Sequence, residues 1–209
     1  MVSQYTNAFT AVPSLPSDAA IASDKKNNTI FYGVSGSSFY LSTDGGKTFS
    51  VKGSLGSSTS PVKVVVNPGV TGDVWVSTDK GLFHSTNSGS TFSAISGITQ
   101  AWAIALGAPA KTGGYPAIFA AANIGGVGYF RSDDQGVSWV KINDATHGFG
   151  SAASNVISGD PRVYGRYVSI YIYIYSKTDV HLKVYTSERM VVVSFMETPL
   201  VQLLHPHQQ

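Results

Sequence analysis

The sequence contains no cysteine, which excludes disulfide bonds, cysteine-ligated metal sites and a thiol nucleophile. Charge is also scarce, because Asp, Glu, Lys and Arg make up 12% of the 209 residues and the formal net charge is +2. Such a weak charge without a basic stripe argues against nucleic acid as a partner. No apolar run is long enough to span a bilayer. We therefore predict no cofactor, no metal, no nucleic-acid partner and no membrane partner.

Glycine and aromatic residues are plentiful instead, with 22 Gly, 11 Tyr and 10 Phe. Aromatic, glycine-rich and charge-poor chains are typical of all-β folds. The first residues show neither the basic nor the apolar part of a signal peptide, so any export signal is expected upstream of Met1. Asn27-Asn28-Thr29 is an N-glycosylation sequon, which matters if the protein is secreted.

A short motif of the form Ser-x-Asp-x-Gly-x-Ser/Thr-aromatic occurs three times, beginning at Ser42, Ser85 and Ser132, so that the spacings are 43 and 47 residues. These spacings are close to the length of one four-stranded propeller blade. The Asp or Asn is expected to accept bonds from local backbone N–H groups, and the glycine allows the positive φ of a tight turn. The defining residues are Ser42, Asp44, Gly46 and Phe49; Ser85, Asn87, Gly89 and Phe92; and Ser132, Asp134, Gly136 and Trp139.

A second repeat lies in phase with the first. Short apolar segments ending in a turn occur at residues 20–24, 64–68, 104–109 and 156–161, and a further strand pattern follows each of the first three. The repeating unit is therefore strand, strand, strand, motif, strand. This pattern predicts an all-β fold of about three and a half four-stranded β-propeller blades in an incomplete ring.

The repeated motif is the Asp-box of sialidases, sortilin-type receptors and glycoside hydrolase family 74. Three longer stretches, residues 81–89, 130–144 and 157–166, resemble family 74 in particular. The resemblance covers residues 1–166 and corresponds to a partial C-terminal propeller. It implies two seven-bladed propellers in the whole enzyme, with xyloglucan or a related β-1,4-glucan in the cleft between them.

The resemblance also implies an inverting, secreted polysaccharide hydrolase with two catalytic aspartates. Both belong to segments upstream of the region covered here, so no catalytic residue is carried over and the fragment is expected to be inactive alone. The carboxylates of Asp44, Asp133 and Asp134 are interpreted as turn-stabilising groups. Two alternatives stay open: a non-catalytic glycan-binding or protein-binding propeller of the sortilin type, and a sialidase-like protein.

Five residues in predicted loops or at strand starts are candidates for substrate binding, with Trp102 as the first choice for a sugar-stacking platform. Packing in the core or at a blade edge is the competing interpretation, because aromatic residues dominate β-sheet cores. The candidates are Trp102, Tyr115, Asn123, Tyr129 and His147.

The C-terminal residues 167–209 depart from the blade pattern. Residues 170–175 alternate Ile and Tyr without a closing turn signal. Repeated AT dinucleotides would encode this alternation, and a one-base shift of residues 189–199 restores a sequence similar to a final blade. We therefore predict a non-homologous tail that comes from a retained intron and a frameshift.

Overall fold

The computed structural model describes residues 11–56, 60–143, 156–176, 179–186 and 190–196. These residues form sixteen strands in four antiparallel sheets of four strands each. No helix long and apolar enough to cross a membrane occurs among them. Each sheet is built from four strands that are consecutive in the chain and paired in chain order. The all-β propeller architecture predicted from the repeats is therefore confirmed.

We name the four sheets blades 1 to 4. Blade 1 contains β1 (Ala20–Ser23), β2 (Phe31–Ser35), β3 (Ser38–Ser42) and β4 (Ser50–Ser54). Blade 2 contains β5 (Pro61–Val66), β6 (Val74–Thr78), β7 (Gly81–Ser85) and β8 (Ser93–Ala94). Blade 3 contains β9 (Ile98–Gly107), β10 (Ala117–Ile124), β11 (Val127–Ser132) and β12 (Val140–Lys141). Blade 4 contains β13 (Ile157–Gly159), β14 (Tyr167–Ser176), β15 (Asp179–Thr186) and β16 (Met190–Met196).

The first strands of the blades line a common axis. β1 lies against β5, β5 against β9, and β9 against β13. Lys63 of β5 donates a hydrogen bond from Nζ to the carbonyl oxygen of Ile157 in β13 over 3.4 Å, so blades 2 and 4 face the same axis. The chain therefore runs outward through each blade and returns to the axis to begin the next, as in a β-propeller.

Apolar cores fill the spaces between successive blades. In β6, Val74 and Val76 pack toward blade 1, while Trp75 between them packs toward blade 3, and all three are fully buried. Successive side chains of a strand point to opposite faces of its sheet. A blade between two neighbours must therefore be apolar on both faces. For this reason the second strands of blades 1 to 3, which are β2, β6 and β10, consist largely of consecutive apolar residues.

Blade 4 differs from the half blade that the sequence predicts, because β14, β15 and β16 complete a four-stranded sheet on β13. The alternating Ile and Tyr residues all fall within β14. β-branched and aromatic residues favour extended backbone, and β13 offers an edge for pairing. Residues of the predicted tail therefore form strands even though their sequence departs from that of the other blades.

Candidate functional site

The antiparallel blades give the arc two faces. In each blade, the connections between the first and second strands and between the third and fourth strands lie at the same end of the strands. We call this side of the arc the box face, because the three Asp-boxes lie there. The connections between the second and third strands lie at the opposite end of the strands. We call that side of the arc the hairpin face, after the hairpins at residues 36–37, 79–80 and 125–126.

The Asp-boxes on the box face are closed by local hydrogen bonds. Ser42 Oγ donates to Asp44 Oδ1 over 2.7 Å and accepts the backbone N–H of Gly46 over 3.0 Å. The backbone N–H groups of Lys47 and Thr48 donate to Asp44 Oδ1, each over 3.0 Å. The Thr48 hydroxyl also donates to this carboxylate, and these bonds hold the pKa of Asp44 below its usual value. The charge is therefore used to stabilise the turn.

The other two boxes repeat the arrangement. Asp134 Oδ1 accepts the backbone N–H of Ser138 over 2.9 Å. Asn87 accepts the corresponding N–H of Thr91 over 3.0 Å and donates from its amide nitrogen to the Thr91 hydroxyl over 2.9 Å. Asn can replace Asp here because the backbone bonds need only the side-chain oxygen.

The box glycines also connect neighbouring blades. Gly89 of blade 2 lies directly against the ring of Phe39 in blade 1, with no room for a Cβ atom. A Cβ on Gly136 of blade 3 would lie 3.4 Å from Trp75 in blade 2. Both glycines have positive φ, 78° and 85°, which other residues adopt at a cost. Turn geometry and close packing between blades therefore both require glycine at Gly89.

A buried polar cluster joins blades 2 and 3 beneath the box face. We call it the Asp73 cluster: Asn67, Asp73, Trp75, His84 and Tyr115. Asp73 is 3% exposed. Its Oδ1 accepts from His84 Nε2 over 2.7 Å and from the Tyr115 hydroxyl over 2.9 Å, while its Oδ2 accepts from the Asn67 amide over 2.8 Å. This single carboxylate thus accepts hydrogen bonds from three side chains.

Two ring contacts complete the Asp73 cluster. The indole of Trp75 stacks on the His84 ring at a centroid distance of 3.9 Å and an interplanar angle of 10°. The Trp75 N–H donates to the Tyr115 hydroxyl over 2.8 Å. Since Tyr115 belongs to the β9–β10 loop and the other members to blade 2, its hydroxyl is the polar link between the blades.

Hydrogen bonds within the Asp73 cluster keep the Asp73 carboxylate ionised. Burial opposes ionisation of Asp73, but hydrogen bonds from His84, Asn67 and Tyr115 outweigh it and hold its pKa below the usual value. Burial, together with the neighbouring Asp73 charge, raises the pKa of the Tyr115 hydroxyl. An ionised Asp73 requires donors, so His84 carries a proton on Nε2. The carboxylate is therefore a structural acceptor rather than a free base.

Trp102 occupies a β-bulge in the middle of β9, between the hairpin-face end of the strand at Ile98 and its box-face end at Gly107. Ala121 of β10 pairs with Ala103, and the next residue, Ala122, pairs with Ala101, which leaves Trp102 as the extra residue. A bulge redirects a side chain from the regular alternation of the strand. Ala101 consequently packs between blades 2 and 3, whereas Ala103 packs between blades 3 and 4. The Trp102 indole is partly buried and belongs to none of the core clusters of the described residues.

The structure separates the other predicted substrate-binding residues. Asn123 lies near Trp102 on the neighbouring strand, and its side-chain oxygen accepts the Gly126 N–H over 3.1 Å at the hairpin turn. Tyr115 lies on the box face, where it lines a groove of about 430 Å³ between the loops before β6 and before β10. Tyr129 is fully buried between blades 3 and 4, so it matches the packing interpretation. His147 lies outside the described residues.

The sequence offered no signal for the Asp73 cluster as a unit. Asp73, His84 and Tyr115 follow no recognisable spacing, and they meet only because blade 3 packs on blade 2. No group of three or more potential metal ligands occurs in the parts of the chain that the structure describes.

Comparison with known proteins identifies the family. No protein-family model matches the chain. A xyloglucanase from Paenibacillus sp. is 38% identical over 77% of this chain and 16% of that protein. A xyloglucanase from Hypocrea jecorina is 39% identical over 78% of this chain and 20% of that protein. The crystal structure of the GH74 xyloglucanase from Xanthomonas campestris matches 80% of this chain and 24% of its own length, with 28% identity and a TM-score of 0.67. The chain belongs to glycoside hydrolase family 74.

This family 74 chain spans 16% and 20% of the two curated relatives. Its described carboxylates in the boxes and in the Asp73 cluster accept backbone or side-chain hydrogen bonds. In this segment of a family 74 protein, the box face is therefore a framework of turns and links between blades. Among the predicted substrate-binding residues, Trp102 at the bulge of β9 lies outside this framework.

Proposed function

We propose that this chain is part of a secreted hydrolase that degrades xyloglucan or a related β-1,4-glucan. It would supply propeller scaffold and part of the polysaccharide cleft. The observation that carries the proposal is the identity of 38% and 39% with proteins named xyloglucanases, over more than three quarters of the chain. The arc of four blades has the architecture that such a scaffold requires.

The hairpin face is the proposed polysaccharide side. The polar groups of the Asp-boxes on the opposite face are engaged in their own turns. Trp102, in the middle of β9, is the extra residue of a β-bulge and belongs to none of the core clusters of the described residues. An indole face can cover the apolar face of a pyranose ring. Asn123, two residue pairs away on the neighbouring strand, adds a polar group for hydroxyls.

Hydrolysis is assigned to the larger protein rather than to this chain alone. Inversion at a glycosidic bond needs two carboxyl groups roughly 6.5–9.5 Å apart, with a water between the base and the sugar. Asp44 and Asp134 are held in turns, and the buried Asp73 accepts hydrogen bonds from three side chains. The catalytic aspartates that the family resemblance implies belong upstream, so the proposed contribution of this chain is binding and support.

Affinity electrophoresis in gels that contain xyloglucan tests this role. We expect the chain to be retarded by xyloglucan more than by sialylated glycans, and Trp102→Ala to weaken retardation about tenfold, equivalent to about 1.4 kcal/mol. Tyr164→Ala removes an aromatic side chain from the box face and is the matched control, with retardation unchanged. Equal retardation of wild type and Trp102→Ala would contradict the platform. Release of oligosaccharides by the purified chain would contradict its inactivity.

A further inference from the structure

The N-glycosylation sequon lies in the β1–β2 connection of blade 1. Asn27, Asn28 and Thr29 are all exposed. No other Asn of the sequence begins an Asn-x-Ser/Thr triplet with a residue other than proline in the middle. A sequon can carry an oligosaccharide in the folded protein only where the asparagine reaches solvent. Both residues that define this sequon meet that condition.

The side chains of the sequon are already in contact. The Thr29 hydroxyl donates to Asn27 Oδ1 over 2.8 Å, and the Thr29 backbone N–H donates to the same oxygen over 3.0 Å. Both bonds use the amide oxygen and leave the amide nitrogen, to which a glycan would be attached, out of this turn. Substitution at Nδ2 would therefore leave both contacts in place.

The backbone around the sequon is fixed independently of the asparagine side chain. The Ile30 N–H donates to the Asn27 carbonyl over 3.2 Å, and the Gly45 N–H of the first Asp-box donates to the Thr29 carbonyl over 2.8 Å. The loop is thus anchored to the box turn beside it. A bulky group on an exposed side chain of an anchored loop extends into solvent without disturbing the blade.

We propose that Asn27 is an N-glycosylation site of this protein, occupied during export from a eukaryotic cell. The proposal rests on the secretion included in the proposed function. The donor is a lipid-pyrophosphate oligosaccharide. Asn27 Nδ2 forms a bond to the anomeric carbon of the first sugar and loses one proton, while the bond from that carbon to the pyrophosphate oxygen breaks and the lipid pyrophosphate leaves.

The position of Asn27 keeps the glycan away from the proposed polysaccharide side. The β1–β2 connection of blade 1 belongs to the box face, whereas Trp102 lies in the middle of β9 in blade 3. A glycan on Asn27 would therefore cover part of the surface formed by the box turns. It would not compete with a polysaccharide at Trp102.

The test is secretion of the full chain from yeast behind a host signal peptide, followed by intact-mass and peptide mass spectrometry. We expect a mass increase that an endoglycosidase removes and that maps to Asn27. Asn27→Gln and Thr29→Ala should abolish it. Asn28→Gln changes the adjacent exposed asparagine but keeps the triplet, so it should remain glycosylated. Absence of a glycan at Asn27 in the secreted protein would overturn the proposal.

Translation in the presence of microsomes gives a second measurement that does not depend on stable folding. The signal-bearing chain should shift by one glycan, and Asn27→Gln should lose the shift. A chain translocated without the shift would refute the assignment. Retardation by xyloglucan is measured separately, so loss of the glycan with intact retardation rejects only the glycosylation site. A glycan without retardation rejects only the polysaccharide role.

Discussion

Replacing Tyr115 by Phe removes one hydroxyl that joins two blades. The Tyr115 hydroxyl donates to the ionised Asp73 over 2.9 Å and accepts from the Trp75 indole N–H over 2.8 Å. A hydrogen bond to a charged group contributes roughly 1.5–3 kcal/mol, and an indole N–H left without its partner adds to the loss. Tyr115 is only partly buried, so water compensates in part. We expect Tyr115→Phe to lower the free energy of unfolding by about 2–3 kcal/mol.

Urea unfolding followed by tryptophan fluorescence measures this change, because Trp75 is fully buried in the wild type. Tyr164→Phe is the matched control. The Tyr164 hydroxyl also donates to a carboxylate, Asp133 Oδ2, over 2.7 Å, but Tyr164 is 40% exposed. An exposed bond of this kind contributes at most about 1 kcal/mol.

A double-mutant cycle with Asp73→Asn tests the charge itself. In that background the Tyr115 hydroxyl no longer meets a full negative charge, so Tyr115→Phe should cost about 1 kcal/mol less than in the wild type. Equal losses for Tyr115→Phe and Tyr164→Phe, or no coupling between Tyr115 and Asp73, would refute the role of the cluster as a link between blades.

Three further predictions follow from the packing, the charges and the tail. Gly89→Ala should destabilise the chain by about 1–3 kcal/mol more than Gly45→Ala in urea unfolding, because both have positive φ but only Gly89 lies against Phe39; equal losses would contradict the contact. The lowered pKa of Asp73 means that its stabilisation is present above about pH 4 and is lost as the pH falls through the folded-state value. Melting temperatures between pH 7 and pH 3 should therefore fall more for wild type than for Asp73→Asn, and parallel curves would argue against this. Transcript sequencing should show splicing within the region that encodes residues 167–209, whereas a continuous cDNA would rule out the retained intron.

The Asp-boxes were accessible to sequence analysis because their physics is local. Ser42, Asp44 and Gly46 bond to one another and to backbone groups within four residues. Spacing along the chain therefore specifies the geometry, and the repeat of that spacing specifies the blade. The same reasoning explains why the strands and their order could be predicted from the sequence.

The candidate site was only partly accessible. Trp102 could be singled out as an aromatic residue in a predicted loop or at a predicted strand start, but it lies in the middle of β9, and the bulge that holds it depends on pairing with β10. Tyr129 has a similar sequence context, yet the packing of blade 4 on blade 3 buries it completely. An aromatic residue in a strand can therefore be exposed or buried, depending on which sheet covers it.

The sequence by itself determined the repeating unit, the strand order, the turn chemistry of the boxes and the place of the sequon. Tertiary structure alone decided which side chains from different blades meet. Asp73 and Tyr115 are 42 residues apart and share a hydrogen bond, and Gly89 and Phe39 pack together across a blade boundary. The reason is physical: local hydrogen bonds are encoded by short spacings, whereas contacts between sheets depend on the distance and twist at which whole blades pack.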